Sequence, residues 1–280
     1  MLSLYTKYMR ILGKQCTLTV AKDDEYFPLP YSEETVRETS KGYVLPGVIG
    51  KRNREKFIRT GSIIEGCFVT FLDYSCCLAL FLLFFYENEC FDIYADRVFE
   101  RTIYKNVCLK GFELRAKNGE AFKLRVDIGS TDNSYTTGWP VNIPALKHVK
   151  TKDFTNFAGS SLSQFYRYDG HRITINDGKT IPLVYRIELV GKYGERTEFS
   201  ISLYFPLSTE FFPEKKVIEK LTIPINIKDG ICIDLYDLEV ENGLTDINCA
   251  DTVLSMQKFK INGCVVFRIR NENEYFEIVL

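Results

Sequence analysis

The chain has 280 residues, 45% hydrophobic and 26% charged, which excludes disorder as its main state. Thirty-six basic against 37 acidic side chains leave a net charge of −1, without the basic excess of a general nucleic-acid binder. The length fits one large domain or two of roughly 130–140 residues, and 14% aromatics with three Met and one Trp suit a β-rich chain.

In chain order, Phe27-Pro-Leu-Pro-Tyr-Ser-Glu-Glu-Thr-Val36 leads into a long loop over 38–60 that contains Tyr43-Val-Leu-Pro-Gly-Val-Ile-Gly50. From 41 to 59, Lys41, Lys51, Arg52, Arg54, Lys56 and Arg59 stand against Glu55 alone, a local +5. Apolar residues on such a loop signal a contact surface. Ile63-Ile-Glu-Gly-Cys-Phe-Val-Thr-Phe-Leu72 reads as a strand. The apolar run Ser75–Tyr86 follows, bounded by Asp73 and Glu87, and predicts a core helix over 75–86. At 12 residues it is about 18 Å long, against the roughly 30 Å of a bilayer core, so no membrane span is expected.

Tyr104–Leu114 reads as a further strand. Gly129-Ser-Thr-Asp-Asn-Ser134 and Gly159-Ser-Ser161 have the composition of a linker or exposed loop. Beyond them period-two alternation dominates: Tyr185/Ile187/Leu189, Phe199/Ile201/Leu203/Phe205, Leu221/Ile223/Ile225/Ile227 and Val265/Phe267/Ile269 each define one apolar face. These are half-buried antiparallel strands. Asp234, Asp237, Glu239 and Glu241 alternate with apolar residues as a strand with an acidic face, within a 229–251 segment that also holds Asp229, Asp246 and Asp251 and no Lys or Arg, a local −7. A second helix is predicted over 246–258, and Asn271-Glu-Asn273 predicts a C-terminal hairpin into Glu274–Leu280. The fold class is therefore mainly β, an antiparallel sandwich or barrel with few helices.

Tyr26-Phe-Pro-Leu29 recurs as Tyr204-Phe-Pro-Leu207, and Ile64-Glu65 at the head of one strand as Ile218-Glu219 at another. The offsets, 178 and 154, differ by 24 residues, an insertion in the first copy. A duplication would make two related β domains, 1–150 and 151–280.

Chemistry is sparse. Nine cysteines (16, 67, 76, 77, 90, 108, 232, 249 and 264) lack the spacing of a disulfide framework, and most lie in apolar runs as small hydrophobes. With no secretory leader visible they are expected to be reduced, in a protein made in a cytosol. His148 and His171 are the only histidines and there is no CxxC, so no metal is expected. Neither a phosphate-cradling glycine loop nor a GxSxG elbow appears, so no cofactor and no catalytic residue is assigned. The +5 and −7 segments can each be a solvated face. They can also be complementary contacts between copies of the chain, with Lys51, Arg52, Arg54 and Arg59 facing Asp234, Asp237, Glu239 and Glu241.

The succession of Phe27–Val36, the Gly- and Arg-containing loop with Gly47, Gly50 and Arg52, the Ile63–Leu72 strand, the Leu-rich run and Tyr104–Leu114 resembles the tail tube (major tail) proteins of tailed bacteriophages. The likeness is best over 26–116; the aromatic, cysteine-rich helix and Glu87-Asn-Glu at its end depart from the pattern. The resemblance implies a β-sandwich or barrel tube domain with one flanking helix, or two such domains fused. It further implies hexameric rings, or trimeric ones for fused domains, stacked into a tube in the virion tail after assembly in the host cytoplasm. The 38–60 loop would reach the neighbouring ring. DNA would pass through the lumen without specific binding, past a neutral or acidic wall, because a basic lining would hold phosphates by counterion release. Other tail proteins would be partners. Two alternatives stand beside it: a tail tip, terminator or baseplate ring, and a β-sandwich enzyme using a Cys with His148 or His171.

Overall fold

The computed structural model describes residues 17–22, 25–29, 31–45, 56–72, 90–97, 100–138, 166–176, 178–206, 217–226, 230–241, 245–249, 252–270 and 275–280. These residues hold eighteen strands and no helix. The first eight are β1 (Thr17–Lys22), β2 (Glu25–Leu29), β3 (Tyr31–Glu34), β4 (Arg37–Leu45), β5 (Lys56–Phe71), β6 (Phe91–Asp96), β7 (Arg101–Lys117) and β8 (Lys123–Gly138). The short β9 (Thr174–Ile175) and β10 (Lys179–Thr180) precede β11 (Arg186–Lys192), β12 (Glu198–Pro206), β13 (Val217–Asn226) and β14 (Ile231–Val240). The chain closes with β15 (Thr245–Cys249), β16 (Thr252–Ile261), β17 (Val265–Arg270) and β18 (Tyr275–Val279). All pairings are antiparallel within one sheet, so the mainly β class read from the alternation is correct.

Two strands that change partner partway organise that sheet. β7 pairs β8 along most of its length; on its other side it pairs β6 with its first half and β11 with its second. The break falls at Asn106, whose φ of 53° is left-handed, a conformation short polar side chains tolerate best. Its backbone N–H donates to Asp92 and its carbonyl accepts the hydroxyls of Thr131 and Ser134. Those hydroxyls explain why Gly129–Ser134 is not the linker its composition suggests. Ser130, Thr131 and Ser134 lie within β8 and satisfy a kinked backbone.

β14, ten residues long, is the second strand that changes partner partway. It pairs β13 on one side, and on the other β17 with Cys232–Leu235 and β16 with Leu238–Val240. Asp237, at φ 54°, separates the two stretches. The alternation slips there: Ile233, Leu235 and Leu238 all reach the core, while Tyr236 and Asp237 fall in succession outside it.

Strands on both sides of residue 150 share one buried cluster, from Leu18 to Phe267. Phe112 of β7 meets Phe199 of β12 and Phe267 of β17 with ring centroids 6.3 and 6.4 Å away, tilted or edge-on as aromatic pairs prefer. Tyr166 and Tyr168 pair with the backbone of 119–122, tying the residues before β9 to the β7–β8 turn.

Two further expectations need correction. Residues 246–249 and 252–258 belong to β15 and β16 rather than to a helix, because Leu254–Ile261 pairs with β12 rung for rung. Polar Ser255 and Gln257 share the face of Phe259 and Ile261, which hid the period of two. The 38–60 loop is largely strand, since β4 pairs β5 from Arg37↔Glu65 to Leu45↔Lys56, leaving 46–55 outside the described residues. Of the five described thiols, none in a disulfide, Cys67 is buried, Cys90 is exposed and Cys108, Cys232 and Cys264 are half-buried; Cys16, Cys76 and Cys77, in the apolar runs, lie outside the described residues. The predicted 75–86 helix lies outside the described residues. No described helix is long and apolar enough to cross a membrane.

Candidate functional site

β8 leaves β5 at Gly129↔Glu65, but the β4–β5 pairing runs on for eight more rungs, Glu38↔Ile64 to Leu45↔Lys56. The result is a two-stranded ribbon continuing past the last rung shared with β8. Residues 40–42 and 60–62 on it are exposed, and they are small or basic: Ser40, Lys41, Gly42, Thr60, Gly61 and Ser62. The register shifts between Lys41 and Gly42, a bulge that sharpens the local twist.

At the ribbon's root the chain bends from β3 to β4 over Glu34–Val36, held from both sides. On the β5 side, Thr35 N donates to the Cys67 carbonyl at 2.9 Å and Thr35 Oγ1 accepts from Cys67 N at 3.0 Å. Gly66 lies directly beneath: a Cβ there would sit 2.6 Å from Val36 Cα. On the other side stands Arg97, after β6. Its Nε and Nη2 fork onto the two Glu34 carboxylate oxygens at 2.9 and 2.7 Å, Nη2 also donates to the Val36 carbonyl, and Nη1 donates to Tyr104 Oη at 3.0 Å. Tyr104 in turn donates to Val36 O at 2.9 Å, and Glu34 Oε1 accepts from Val36 N. The bonds to Glu34 push the guanidinium further above its already high pKa, and burial raises the Tyr104 phenol. Beside this knot lies an open polar cleft where Arg37, Glu38, Glu100 and Thr136 gather; Thr136 donates to Glu38.

The acidic segment is arranged differently. Asp234 has no exposed side-chain surface: Lys220 Nζ and Arg268 Nη1 meet its Oδ2 at 2.9 and 2.8 Å, and Thr222 donates to Oδ1 at 2.6 Å. The two Oδ2 contacts lack good hydrogen-bond angles, so charge is the main force there. Burial opposes the charge on Lys220, but the close Asp234 carboxylate outweighs it and raises its pKa. Arg268 also donates to Glu277 at 2.9 Å. Glu239 accepts from Asn262 at 3.0 Å, Glu241 pairs with Lys258 at 2.8 Å, and Asp237 is exposed at the kink. The residues singled out in the sequence are thus dispersed. Asp234 is enclosed within its own chain, while Asp237, Glu239 and Glu241 lie on the surface. Arg59 pairs Gly42 in the ribbon, and Lys51, Arg52 and Arg54 lie outside the described residues.

Sequence reasoning missed the Arg97 knot. Glu34 and Arg97 are 63 residues apart with no motif between them, and the pairings β3–β5, β5–β8, β7–β8 and β6–β7 bring them together. Of the two histidines, His148 lies outside the described residues and His171 is exposed on a turn, its N–H donated to Asp169. Among the described residues no group of three His, Cys, Asp or Glu is placed to hold a metal ion. No protein-family model and no curated protein matches the chain.

Proposed function

We propose that the chain is a virion structural protein whose copies form trimeric or hexameric rings that stack into a phage tail tube, through which DNA passes. The observation that carries this reading is the β4–β5 ribbon. Two strands alone are marginal in water, and the exposed, small or basic residues Ser40–Gly42 and Thr60–Ser62 within the eight rungs form a surface suited to another copy. Its strand edges offer backbone donors and acceptors, its small residues allow close approach, and its cations select an acidic partner face. The enclosure of Asp234 narrows that face: Asp237, Glu239 and Glu241 remain as contacts for the basic ribbon and its 46–55 connection. Other tail proteins would bind the ends of the tube. The chain would work in the virion tail after assembly in the host cytoplasm.

Electron microscopy of the purified protein at high concentration tests this directly. Rings or tubes with a central channel are expected, and a strictly monomeric protein would overturn the proposal. Rings that cap without polymerising would move the protein to a tail tip or terminator. Arg52→Glu with Arg54→Glu is expected to impair stacking and leave single rings intact; unchanged tubes would remove the stacking role from this region.

A further inference from the structure

We propose that Arg97 is the positioning residue of the ribbon: it fixes the angle at which β4 leaves the sheet, so that the ribbon meets a second copy of the chain already ordered. This rests on reading the ribbon as a contact between copies. Its physical basis is the geometry of the root. The Glu34–Val36 bend lies between two supports, the Gly66–Cys67 backbone and the Arg97 guanidinium. The first lies where β5 is still paired to β8, Gly66↔Ile128 and Cys67↔Asp127, and holds the bend from the β5 side. Arg97 belongs to the β6–β7 connection, anchored by its own N–H to the Glu100 carbonyl at 2.9 Å, and ties the bend to the β6–β7 side of the sheet, opposite the support from β5.

The chemistry of the tie demands arginine. Three acceptors of fixed position, the Glu34 carboxylate, the Val36 carbonyl and the Tyr104 hydroxyl, surround one planar group, and a fork of five donors satisfies them together. Lysine would keep the charge and lose the geometry. Glu34 is 9% exposed and Arg97 26%, so water screens this pair less than an ordinary surface pair. A limb whose root is held in this way loses less freedom when it is covered, and preorganisation of this kind appears as affinity between partners.

Hydrogen exchange on the full-length chain tests the role, using Arg97→Lys and Tyr104→Phe. The second variant keeps the ring and removes the hydroxyl that joins Arg97 to Val36. In both, amides of 38–45 and 57–64 are expected to exchange about tenfold faster or more, with amides of β12, β13 and β14 unchanged. Where the wild type stacks, the variants are expected to stop at single rings. Unchanged ribbon amides would overturn the proposal. So would equal acceleration in β13 and β14, which would make Arg97 a general fold residue. If the wild type forms no rings, the assembly reading fails while the exchange result still decides whether Arg97 holds the ribbon.

Discussion

β14 and the β4–β5 ribbon each fall within one of the two charge excesses of the chain, and they place Asp234 and Lys41 oppositely. β14 draws an acid inward, enclosing Asp234 between Lys220, Arg268 and Thr222. The ribbon leaves Lys41 exposed among small residues and is tied to the sheet at its root. A count of charges along the chain treats both as surface. Cross-strand register decides otherwise, because it sets which opposite charges stand beside Asp234 and leaves Lys41 opposite Gly61. A charge excess marks an outward contact only where no neighbouring strand supplies the counter-charge.

The largest expected effect tests the inward half of this comparison. Asp234→Ala leaves Lys220 and Arg268 beside each other without their shared carboxylate. Removing one partner of a buried ionic group costs 3–5 kcal/mol, and the partial exposure of both cations puts this case at the low end, about 3 kcal/mol. Glu241→Ala, which breaks an exposed pair with Lys258, should cost under about 0.5 kcal/mol. Urea unfolding of the two variants measures the contrast. Equal losses would mean that the enclosure of Asp234 has no energetic consequence.

How much was readable beforehand follows the same line. β11, β12, β13 and β17 were legible because one face of each is almost purely apolar: Ile187 and Leu189, Ile201 and Leu203, Leu221 and Ile223, Val265 and Phe267 are all buried. β16 was not, because Gln257 is buried on its core face and breaks the apolar period. The ribbon read as a loop because Gly42 and Gly61 lie within its paired stretch, and glycine in a strand usually signals a break. Asp234 read as outward because it alternates with the core residues Ile233 and Leu235; Lys220, Thr222 and Arg268 of the flanking strands enclose it there, a relation that only the register sets. The Arg97 knot joins residues across two hairpins, a relation that no local spacing encodes.

The outward half has its own internal contrast, with a smaller effect. Gly66 and Gly61 lie five residues apart on β5. A Cβ at Gly66 would press into Val36 and Thr35 backbone at 2.6–2.8 Å, at a φ of 152°, whereas one at Gly61 meets nothing within 4 Å. Overpacking of this kind costs 1–3 kcal/mol, so Gly66→Ala should lose about 2 kcal/mol in urea unfolding and Gly61→Ala close to none. A comparable loss at Gly61 would mean that the ribbon is packed against something in the monomer and is not an open surface.

The smallest effect is a rate, and it reads the closed face of β14 directly. Cys232 stands opposite Arg268 in the β14–β17 register, two residues before Asp234. Burial first, and the Asp234 charge second, push its thiol pKa up to about 11, against the pull of Arg268 and Lys220. The thiolate is the reactive form, so Cys232 should resist iodoacetamide at pH 8 while the exposed Cys90 is labelled, and its labelling rate should climb until about pH 11. The raised value also fixes the direction of a stability change. Below pH 9 both the folded and the unfolded thiol hold the proton; between 9 and 11 only the unfolded one loses it, so this contribution falls as pH rises and levels off above 11. Asp234→Asn removes the neighbouring negative charge and leaves both cations, so the midpoint of Cys232 labelling should move to lower pH. Mass spectrometry of the alkylated Cys232 peptide measures it. A midpoint that stays at 11 in this variant would mean that Asp234 does not act on the thiol and that burial alone closes this face.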